Sequence, residues 1–351
     1  MNPAPPPSVT DFRAELALLM AAYATRHVVV LALDGVNLSA ASTCWPSAET
    51  RLLRAVAPTT SSAGWLSALT GLDVADHAVP GVVFSDPSGQ GGLVNFLNHH
   101  GPGLTPATEN VFLDAIRLGR TPLAVLGDLE CYASSWRDAL LAHAQPITGH
   151  RFYTEHDAYH RRPAAEVAAR VGTAVEETLA RHDARPCLLW CYVEIDQHVH
   201  RHGYDEHTFR VLTALGEFAA SLATRDILVV AHSDHGLVPT VHDPELADLL
   251  DDLGRRYGFT MGGAGRMRWL YPRAGTGPEL LALLGEELPG DIRILPADEV
   301  FRPGSPGRAR VGDVLLVSEG GAFLTDPEYR YDHGSFAPEE TETPFAVWRV
   351  K

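Results

Sequence analysis

The sequence is poor in cysteine, with four cysteines among 351 residues. Cys44, Cys131, Cys187 and Cys191 show neither the paired spacing of a disulfide framework nor the spacing of a zinc site. Cys187 and Cys191 fall in the apolar run "CLLWCYV", where a free cysteine packs as a small hydrophobe. We therefore predict buried thiols and a chain that works in the reducing cytoplasm.

The sequence also lacks an excess of basic residues. Lys and Arg number 28 against 44 Asp and Glu, which gives a formal net charge of −16. This balance argues against binding of a nucleic-acid polymer, because such binding relies on Lys and Arg to neutralise phosphates. A small phosphorylated substrate remains compatible with an acidic protein if bound cations supply positive charge at the site.

Long apolar runs are absent as well. No stretch approaches the roughly 20 apolar residues that span a bilayer, so no membrane partner is expected. The N-terminal segment "MNPAPPPSVTDF" lacks the basic and apolar regions of a signal peptide. It predicts a disordered Pro-rich tail over residues 1–10, followed by a single domain over residues 11–351.

Strand-like and helical patterns alternate along the chain. Continuous apolar runs typical of buried parallel strands are "HVVVLALDG" from residue 27, "TPLAVLGD" from 121, "PCLLWCYVEID" from 186 and "DILVVAHSDHG" from 226. With the amphipathic segments around them, these runs predict an α/β fold with a mostly parallel central sheet flanked by helices on both faces. A stretch at about 240–330 is richer in Gly and Pro and predicts a small inserted subdomain.

Asp34, Asp196 and Asp234 stand at the ends of three of these apolar runs, and His200 and His235 follow closely. In parallel α/β sheets, ligands bind at the carboxyl ends of the strands. Converging carboxylates would raise one another's pKa unless cations offset their charge. A single Asp at a strand end is usually a turn or helix-cap residue. The repeated combination of Asp and His instead favours a site for divalent cations such as zinc.

A run of hydroxyl residues supplies candidates for a nucleophile. The segment "APTTSSAGWLSALTGL" (57–72) places Thr59, Thr60, Ser61 and Ser62 just before a helical pattern. A hydroxyl at a helix N-terminus faces free N–H groups and the positive end of the helix dipole, where an anion is stabilised. Simple N-capping by Ser or Thr is the alternative interpretation.

Together these motifs resemble those of the alkaline phosphatase superfamily and, within it, the type I phosphodiesterase/nucleotide pyrophosphatase branch. The resemblance covers most of the chain, from "VVVLALDG" to "YDHGSFAPEETETPF". "YVEIDQHVHRHG" is similar to the family's Asp-x-x-x-His segment, and "SDHG" to its Asp-His pair. In the family's nucleophile turn, the attacking residue follows a Pro and precedes a Thr-Gly pair. Counting from Pro58 and from Thr70 gives the same residue, Ser61.

The resemblance implies two divalent-cation sites built from Asp and His side chains and the oxygen of the nucleophile. The ligands of the first site would be Asp196, His200 and His333. The ligands of the second site would be Asp34, Asp234, His235 and Ser61. The His content favours zinc, with manganese as the alternative.

Other residues near these motifs receive different interpretations. His198, His202 and His232 match no ligand position of the family, so positions at the surface or behind the ligands are expected. Trp65 lies at helical spacing from the apolar residues of its segment, which indicates packing in the core. Thr60 is the nearest substitute for Ser61.

The resemblance implies a metal-dependent phosphoesterase that hydrolyses a small phosphodiester or pyrophosphate through a covalent phosphoseryl intermediate. The family's nucleotide pyrophosphatases carry an Asn after the nucleophile helix that holds a phosphoryl oxygen. Here that region reads "HAVPGVVF", while Asn95 and Asn98 lie further on and do not match it. A phosphomonoesterase or a phosphonate hydrolase with the same site therefore stays open.

A sulfatase and a non-catalytic binding protein are two further classes of protein to compare with the motifs. A sulfatase is disfavoured, because "TTSS" offers no cysteine for conversion to formylglycine. A non-catalytic binding protein on the same fold is the alternative from another class. Against it stands the presence of all seven implied ligands, since loss of activity would be expected to show first at the metal site.

Overall fold

The computed structural model describes residues 6–86, 92–100, 109–153 and 162–349. The α-helices of these residues are α1 Phe12–Ala22, α2 Leu38–Cys44, α3 Ser61–Thr70, α4 Val74–His77, α5 Val111–Arg117, α6 Ser135–Leu140, α7 Ala164–Arg181, α8 Asp196–His202, α9 Glu206–Thr224, α10 Pro244–Tyr257, α11 Gly277–Glu287 and α12 Pro338–Thr341.

The strands are β1 Val28–Asp34, β2 Glu49–Arg54, β3 Val83–Ser85, β4 Leu93–Asn95, β5 Thr121–Val125, β6 Gln145–Ile147, β7 Cys187–Glu194, β8 Leu228–His232, β9 Val238–Pro239, β10 Val241–His242, β11 Thr260–Ala264, β12 Met267–Tyr271, β13 Ile292–Pro296, β14 Val314–Ser318, β15 Ala322–Phe323, β16 Tyr331–Asp332 and β17 Glu342–Trp348.

The central sheet has seven strands in the order β2–β17–β8–β1–β7–β5–β6. Strands β8, β1, β7, β5 and β6 run parallel to one another, whereas β17 is antiparallel to both β8 and β2. Every residue of β1 and β7 is buried, as expected for inner strands that are covered on both faces. The predicted mostly parallel sheet is confirmed.

Alternating side chains of the inner strands enter two separate cores, because successive residues of a strand point to opposite faces. Val28 and Val30 of β1 pack in one core with residues of α1, α3, α5 and α6. Val29 and Leu31 pack in the other core with residues of α2, α7 and α9. Helices therefore cover both faces of the sheet, as the alternation of patterns predicted.

A second, four-stranded antiparallel sheet forms within the Gly- and Pro-rich stretch. Its strand order is β11–β12–β14–β13. Helices α10 and α11 pack on it through a third core that includes Leu250, Leu284 and Leu316. The stretch at about 240–330 thus contains a sheet of its own, while the boundaries of the predicted subdomain stay a prediction.

The N-terminal tail contacts the domain over part of its predicted length. Residues 1–5 of the tail lie outside the described residues. Ser8 forms a β-bridge with Arg54, and Val9 is buried. Residues 8–10 therefore pack on the central domain. In the described part of the chain, every helix is too short or too polar to cross a membrane.

Candidate active site

Three aspartates meet at the carboxyl edge of the central sheet. Asp34 is the last residue of β1, Asp196 follows the end of β7 and begins α8, and Asp234 follows the end of β8. Strand β1 lies between β7 and β8 and runs parallel to both, so the three strand ends lie side by side. All three side chains are buried. The convergence expected from the strand ends is present.

Two glycines allow this close approach. Gly35 adopts a positive φ of 75°, and a Cβ at this position would lie 2.8 Å from the Cα of Asp196. In α3, a Cβ on Gly64 would lie 2.8 Å from the Cβ of Asp234. A larger residue at position 35 would push the turn after β1 away from Asp196, and a larger residue at position 64 would push α3 away from Asp234.

Three histidines surround the carboxylates. The Nε2 atom of His200, one helical turn after Asp196, lies 3.1 Å from an oxygen of that residue. His235 Nε2 lies 3.3 Å from Asp234 Oδ2. His333, which follows β16, places its Nε2 3.9 Å from Asp196 Oδ1 and stacks on the His235 ring with 3.8 Å between centroids. The closing segment of the chain therefore reaches the same edge of the sheet.

The Nδ1 atom of each histidine faces a backbone carbonyl oxygen. The acceptors are Tyr331 O for His200 (2.8 Å), Gly236 O for His235 (3.2 Å) and Thr59 O for His333 (2.6 Å). A neutral imidazole that donates from Nδ1 presents a lone pair at Nε2. Here the Nε2 atoms face carboxylate oxygens, and two acceptors in contact need a proton or a cation between them. This orientation is the one found for metal-ligating histidines.

The charged side chains form two groups with the composition of metal sites. In each group, potential ligand atoms lie within 4.8 Å of one another. The first group is Asp196, His200 and His333, and the second is Asp34, Asp196 and His235. Within the described residues, buried oxygens of Asp196 and Asp234 have no hydrogen-bond partner. Since burying an unpaired carboxylate is costly, these residues fit divalent cations.

The concentrated negative charge shifts the titration of these groups. Burial and the neighbouring Asp196 raise the pKa of Asp34 to about 6. Burial and the Asp34 carboxylate raise the pKa of Asp234 well above its usual range. Burial opposes ionisation of Asp196, but His200 and His333 hold its pKa below the usual value. Although burial alone would lower it, contact with Asp196 raises the pKa of His200 to about 9.

Within the run of hydroxyl residues 59–62, Ser61 is the residue whose side chain contacts this cluster. It is the first residue of α3, and its Oγ lies 3.0 Å from His235 Nε2 and donates to Asp34 Oδ1 at 3.3 Å. The Thr60 hydroxyl instead lies 3.3 Å from the Ser62 hydroxyl. The structure thus separates the adjacent hydroxyls of the run and brings Ser61 to the aspartates and histidines.

The Ser61 side chain lines a cavity of about 510 Å³. Several polar residues that the motifs did not identify as site residues also line this cavity, among them Asn95, Tyr132, Glu194 and Arg268. Tyr132 donates from its hydroxyl to Glu194 Oε1 at 2.5 Å. Asn95 stands at the end of β4, and Arg268 on β12 of the second sheet. No spacing pattern marks these residues, because tertiary folding alone brings their elements to the cavity.

The remaining histidines lie outside both groups. His202 is exposed, but His198 and His232 are fully buried, so a surface position is wrong for these two. Trp65 is fully buried, as predicted from its helical spacing. Its Nε1 also donates to Asp34 Oδ2 at 3.1 Å, which helps to orient that carboxylate.

The fold agrees with solved structures over nearly the whole chain. Phosphonoacetate hydrolase from Sinorhizobium meliloti 1021, in complex with phosphonoformate, aligns with a TM-score of 0.68 and 18% identity over 93% of this chain and 91% of that chain. Murine ectonucleotide pyrophosphatase/phosphodiesterase 5 aligns with a TM-score of 0.64 and 15% identity over 93% of this chain and 88% of that chain. An inactive form of the murine protein, in complex with AMP, aligns with a TM-score of 0.63 and 16% identity over 92% and 88%. The fold is alkaline phosphatase-like.

The family follows from the sequence itself. The model of the type I phosphodiesterase/nucleotide pyrophosphatase family matches residues 37–336, well over half of the chain. The protein therefore belongs to this family of phosphoester hydrolases. The sequence matches none of the curated proteins with which it was compared.

Proposed function

We propose that the protein hydrolyses a small phosphodiester or pyrophosphate with two bound divalent cations and a covalent phosphoseryl intermediate. The observation that carries this proposal is the position of the Ser61 hydroxyl. It lies at the start of α3, within hydrogen-bonding distance of His235 and Asp34, at the wall of the cavity. An oxygen in this position would attack a substrate bound at the carboxyl edge of the central sheet, beside the aspartates and histidines.

The cations would lower the pKa of the Ser61 hydroxyl and offset the charge of the phosphoryl oxygens. In the first step, the Ser61 hydroxyl gives its proton to solvent and its oxygen forms a bond to phosphorus, while the bond to the leaving oxygen breaks. In the second step, water attacks the same phosphorus, the bond from phosphorus to Ser61 Oγ breaks, and the serine oxygen regains a proton from that water. The Ala63 N–H donates to the Thr60 carbonyl, whereas the N–H groups of Ser61 and Ser62, at the start of α3, would face the phosphoryl group.

The proposed cation ligands keep the assignment given above. Asp196, His200 and His333 would hold one cation, while Asp34, Asp234, His235 and Ser61 would hold the other. Asp34 and His235 also lie within reach of Asp196, so Asp196 stands between the two sites. Zinc is proposed for both sites because of the His ligands, with manganese as the alternative.

A phosphonate hydrolase is the second candidate function. The fold likeness to phosphonoacetate hydrolase favours it over a simple phosphomonoesterase. A serine oxygen would again attack phosphorus, but the bond that breaks would join phosphorus to carbon, and the leaving carbon would take up a proton from water.

All four cysteines are free, which suits the reducing cytoplasm, and we propose that compartment for the protein.

Substitution of the nucleophile tests the proposed function. Ser61→Ala should lower turnover of bis(p-nitrophenyl) phosphate by more than about a thousandfold, because no other hydroxyl of the run contacts the cluster. The metal content, measured by elemental analysis, should stay close to that of the unmodified protein. A substrate-derived adduct on the Ser61 peptide, detected after acid quenching, would identify the covalent step.

Thr60→Ala provides the matched control. Its hydroxyl is adjacent in sequence but pairs with Ser62, so this variant should retain at least about a tenth of the activity. Full activity of Ser61→Ala, or loss of activity in Thr60→Ala alone, would contradict the assignment. Comparing the release of p-nitrophenol from bis(p-nitrophenyl) phosphate and p-nitrophenyl phosphate with the release of inorganic phosphate from phosphonoacetate separates the candidate functions.

A further inference from the structure

The charges that line the cavity are unequal in sign. The acidic residues of the lining are Asp34, Glu194, Asp196, Asp326 and Asp332. Among the described residues of the lining, Arg268 is the one arginine or lysine. Three of these acids lie at or next to the proposed cation sites, but Arg268 is no ligand of a cation. Its presence needs another explanation.

The hydrogen bonds of Arg268 go to neutral acceptors. Its Nη1 donates to the carbonyl oxygens of Gly265 at 2.7 Å and Met267 at 3.3 Å, and its Nη2 donates to the carbonyl oxygen of Leu324. These bonds fix the plane of the guanidinium against the β11–β12 turn. A guanidinium has five N–H donors, so two N–H groups of Arg268, a residue of the cavity lining, take no part in these three bonds.

Arg268 forms no ion pair with an acid in the described ranges of the chain. The negative charge of Asp332 acts on Arg268 without such a contact, and each oxygen of Asp332 accepts a hydrogen bond from another residue. Asp332 accepts from the Thr325 hydroxyl at one oxygen and from the His333 N–H at the other. Burial lowers the pKa of Arg268 to about 10, so the side chain still carries its charge at neutral pH. Even for a half-buried guanidinium such as that of Arg268, lack of a counter-ion is costly, and an anion that joins it removes this cost.

We propose that Arg268 binds a second anionic group of the substrate, a carboxylate or a further phosphate, while the phosphoryl group lies at Ser61. This inference rests on the proposed function and specifies its substrate class. The planar fork of a guanidinium matches the two oxygens of such a group. The acids elsewhere in the lining repel a second anion, so Arg268 determines where that anion can bind. Substrates with one anionic group and an uncharged remainder would lack this contact.

Binding to the metal-loaded Ser61→Ala protein tests the inference without turnover. Methylphosphonate is the probe with no second anionic group. Phosphonoacetate adds a carboxylate, and methylenediphosphonate adds a second phosphonate. Calorimetry should show that at least one of the two probes with a second anionic group binds about tenfold or more tightly than methylphosphonate. The probe with the larger gain identifies the second group as carboxylate or phosphate.

The same titrations with the added substitution Arg268→Gln measure the contribution of the guanidinium. The ratio of affinities between the probe with a second anionic group and methylphosphonate should fall to less than about threefold, and Arg268→Lys should restore part of this ratio. Arg293→Gln is the matched control, since Arg293 is an exposed arginine of the same sheet, on β13. It should leave the preference as it was.

The outcomes separate this inference from the function on which it rests. A preference that survives Arg268→Gln, or an equal loss of affinity for all three probes, would overturn the role of Arg268. Methylphosphonate would still bind in the first of these cases, and the proposed function would stand. Absence of binding by every probe to the metal-loaded protein would contradict the proposed phosphoryl site itself, and the inference with it.

Discussion

Four consecutive hydroxyl residues show how finely the backbone sets the role of each side chain. The Thr59 hydroxyl donates to Glu340 Oε2, which ties the turn to the closing segment of the chain. Thr60 and Ser62 pair with each other, and Ser61 contacts the charged cluster. A shift by one residue would turn a different hydroxyl toward the aspartates, because helical neighbours point in different directions. The start of α3 at Ser61 therefore selects the candidate nucleophile.

Asn95 gives a prediction at the level of a single side chain. It lines the cavity, and its Oδ1 accepts from the Leu97 N–H at 3.2 Å, which turns the amide NH₂ group away from that bond. We expect Asn95→Ala to lower kcat on an aryl phosphodiester by on the order of 10²-fold, as loss of a donor to a phosphoryl oxygen would. Steady-state kinetics of purified, metal-loaded protein measure the change.

Asn98→Ala is the control for this prediction. Asn98 is exposed, lies in the same short stretch and does not line the cavity. Its substitution should change kcat by less than about twofold, as for a surface position away from special features. Equal effects of the two substitutions would show that Asn95 does not hold the substrate.

The sequence identified the residues that lie within motifs and missed those that do not. Asp34, Asp196 and Asp234 follow apolar runs, so their convergence could be predicted from the rule for parallel sheets. Tyr132 and Arg268 reach the cavity from elements whose spacing carries no comparable pattern. Asn95 lies further along the chain than the family's phosphoryl-binding asparagine, so the motif does not identify it. Its place at the cavity depends on the short β3–β4 pairing, which local sequence does not specify.

At the level of elements, the inner strands were the most predictable part of the fold. Their continuous apolar runs are long and distinct, and β1 and β8 lie where the sequence predicts them. The run that begins at residue 186 was expected to continue to Asp196, but β7 ends at Glu194. Strand β17 was not predicted. It joins the sheet by antiparallel pairing with β8 and β2, and such distant partners cannot be read from periodicity.

The second sheet is joined to the candidate active site by a buried ion pair. Arg266, in the β11–β12 turn, lies with its Nε 2.7 Å from Glu340 Oε1. The other oxygen of Glu340 accepts from the Thr59 hydroxyl and from the Ser335 N–H. The backbone N–H of Arg266 also donates to the backbone carbonyl of His333 at 2.6 Å. These bonds fix the closing segment beside the nucleophile turn.

We therefore expect Arg266→Met to lower the free energy of unfolding by about 3–5 kcal/mol, because Glu340 is left buried without its partner. Chemical denaturation of the metal-loaded protein measures the loss. Arg293→Met is the matched control. Its partner Glu319 lies 3.9 Å away at the exposed surface, and such a pair contributes less than about 1 kcal/mol.

A double variant separates the ion pair from other contacts of Arg266. Adding Glu340→Gln to Arg266→Met removes the unpaired charge and should recover part of the lost stability. If the single variant were no less stable than Arg293→Met, the link between the second sheet and the closing segment would contribute little.

At the level of the whole molecule, an acidic chain gathers further negative charge at one edge of its sheet. The net charge is −16, and three carboxylates are buried at the centre of the site. Without cations, Asp34 and Asp234 keep their protons to higher pH in the folded chain than in the unfolded chain. Ionisation of Asp34 therefore destabilises the metal-free fold as the pH rises from about 4 through about 6, and ionisation of Asp234 acts in the same direction as the pH rises further.

Cation binding should reverse this dependence. At pH 7.5 the Asp34 carboxyl, with its pKa of about 6, is ionised and available, whereas at pH 5 protons compete with the cation. His200, whose pKa is about 9, must also release a proton to bind a metal, which favours binding at higher pH. We expect added zinc to raise the Tm of EDTA-treated protein more at pH 7.5 than at pH 5. Thermal unfolding at both pH values, with and without zinc, measures the difference.

Asp196 provides the sharpest variant for this measurement, because it belongs to both groups of potential ligands. Asp196→Asn should remove most of the zinc-dependent gain in Tm, while Ser61→Ala should keep it, since Ser61 adds only a hydroxyl ligand. A gain that is absent in the unmodified protein would favour a non-catalytic role for this fold. A gain that persists in Asp196→Asn would place the cations elsewhere. A gain in the unmodified protein and in Ser61→Ala, but not in Asp196→Asn, would instead show that cations at these sites offset the buried charge of the aspartates.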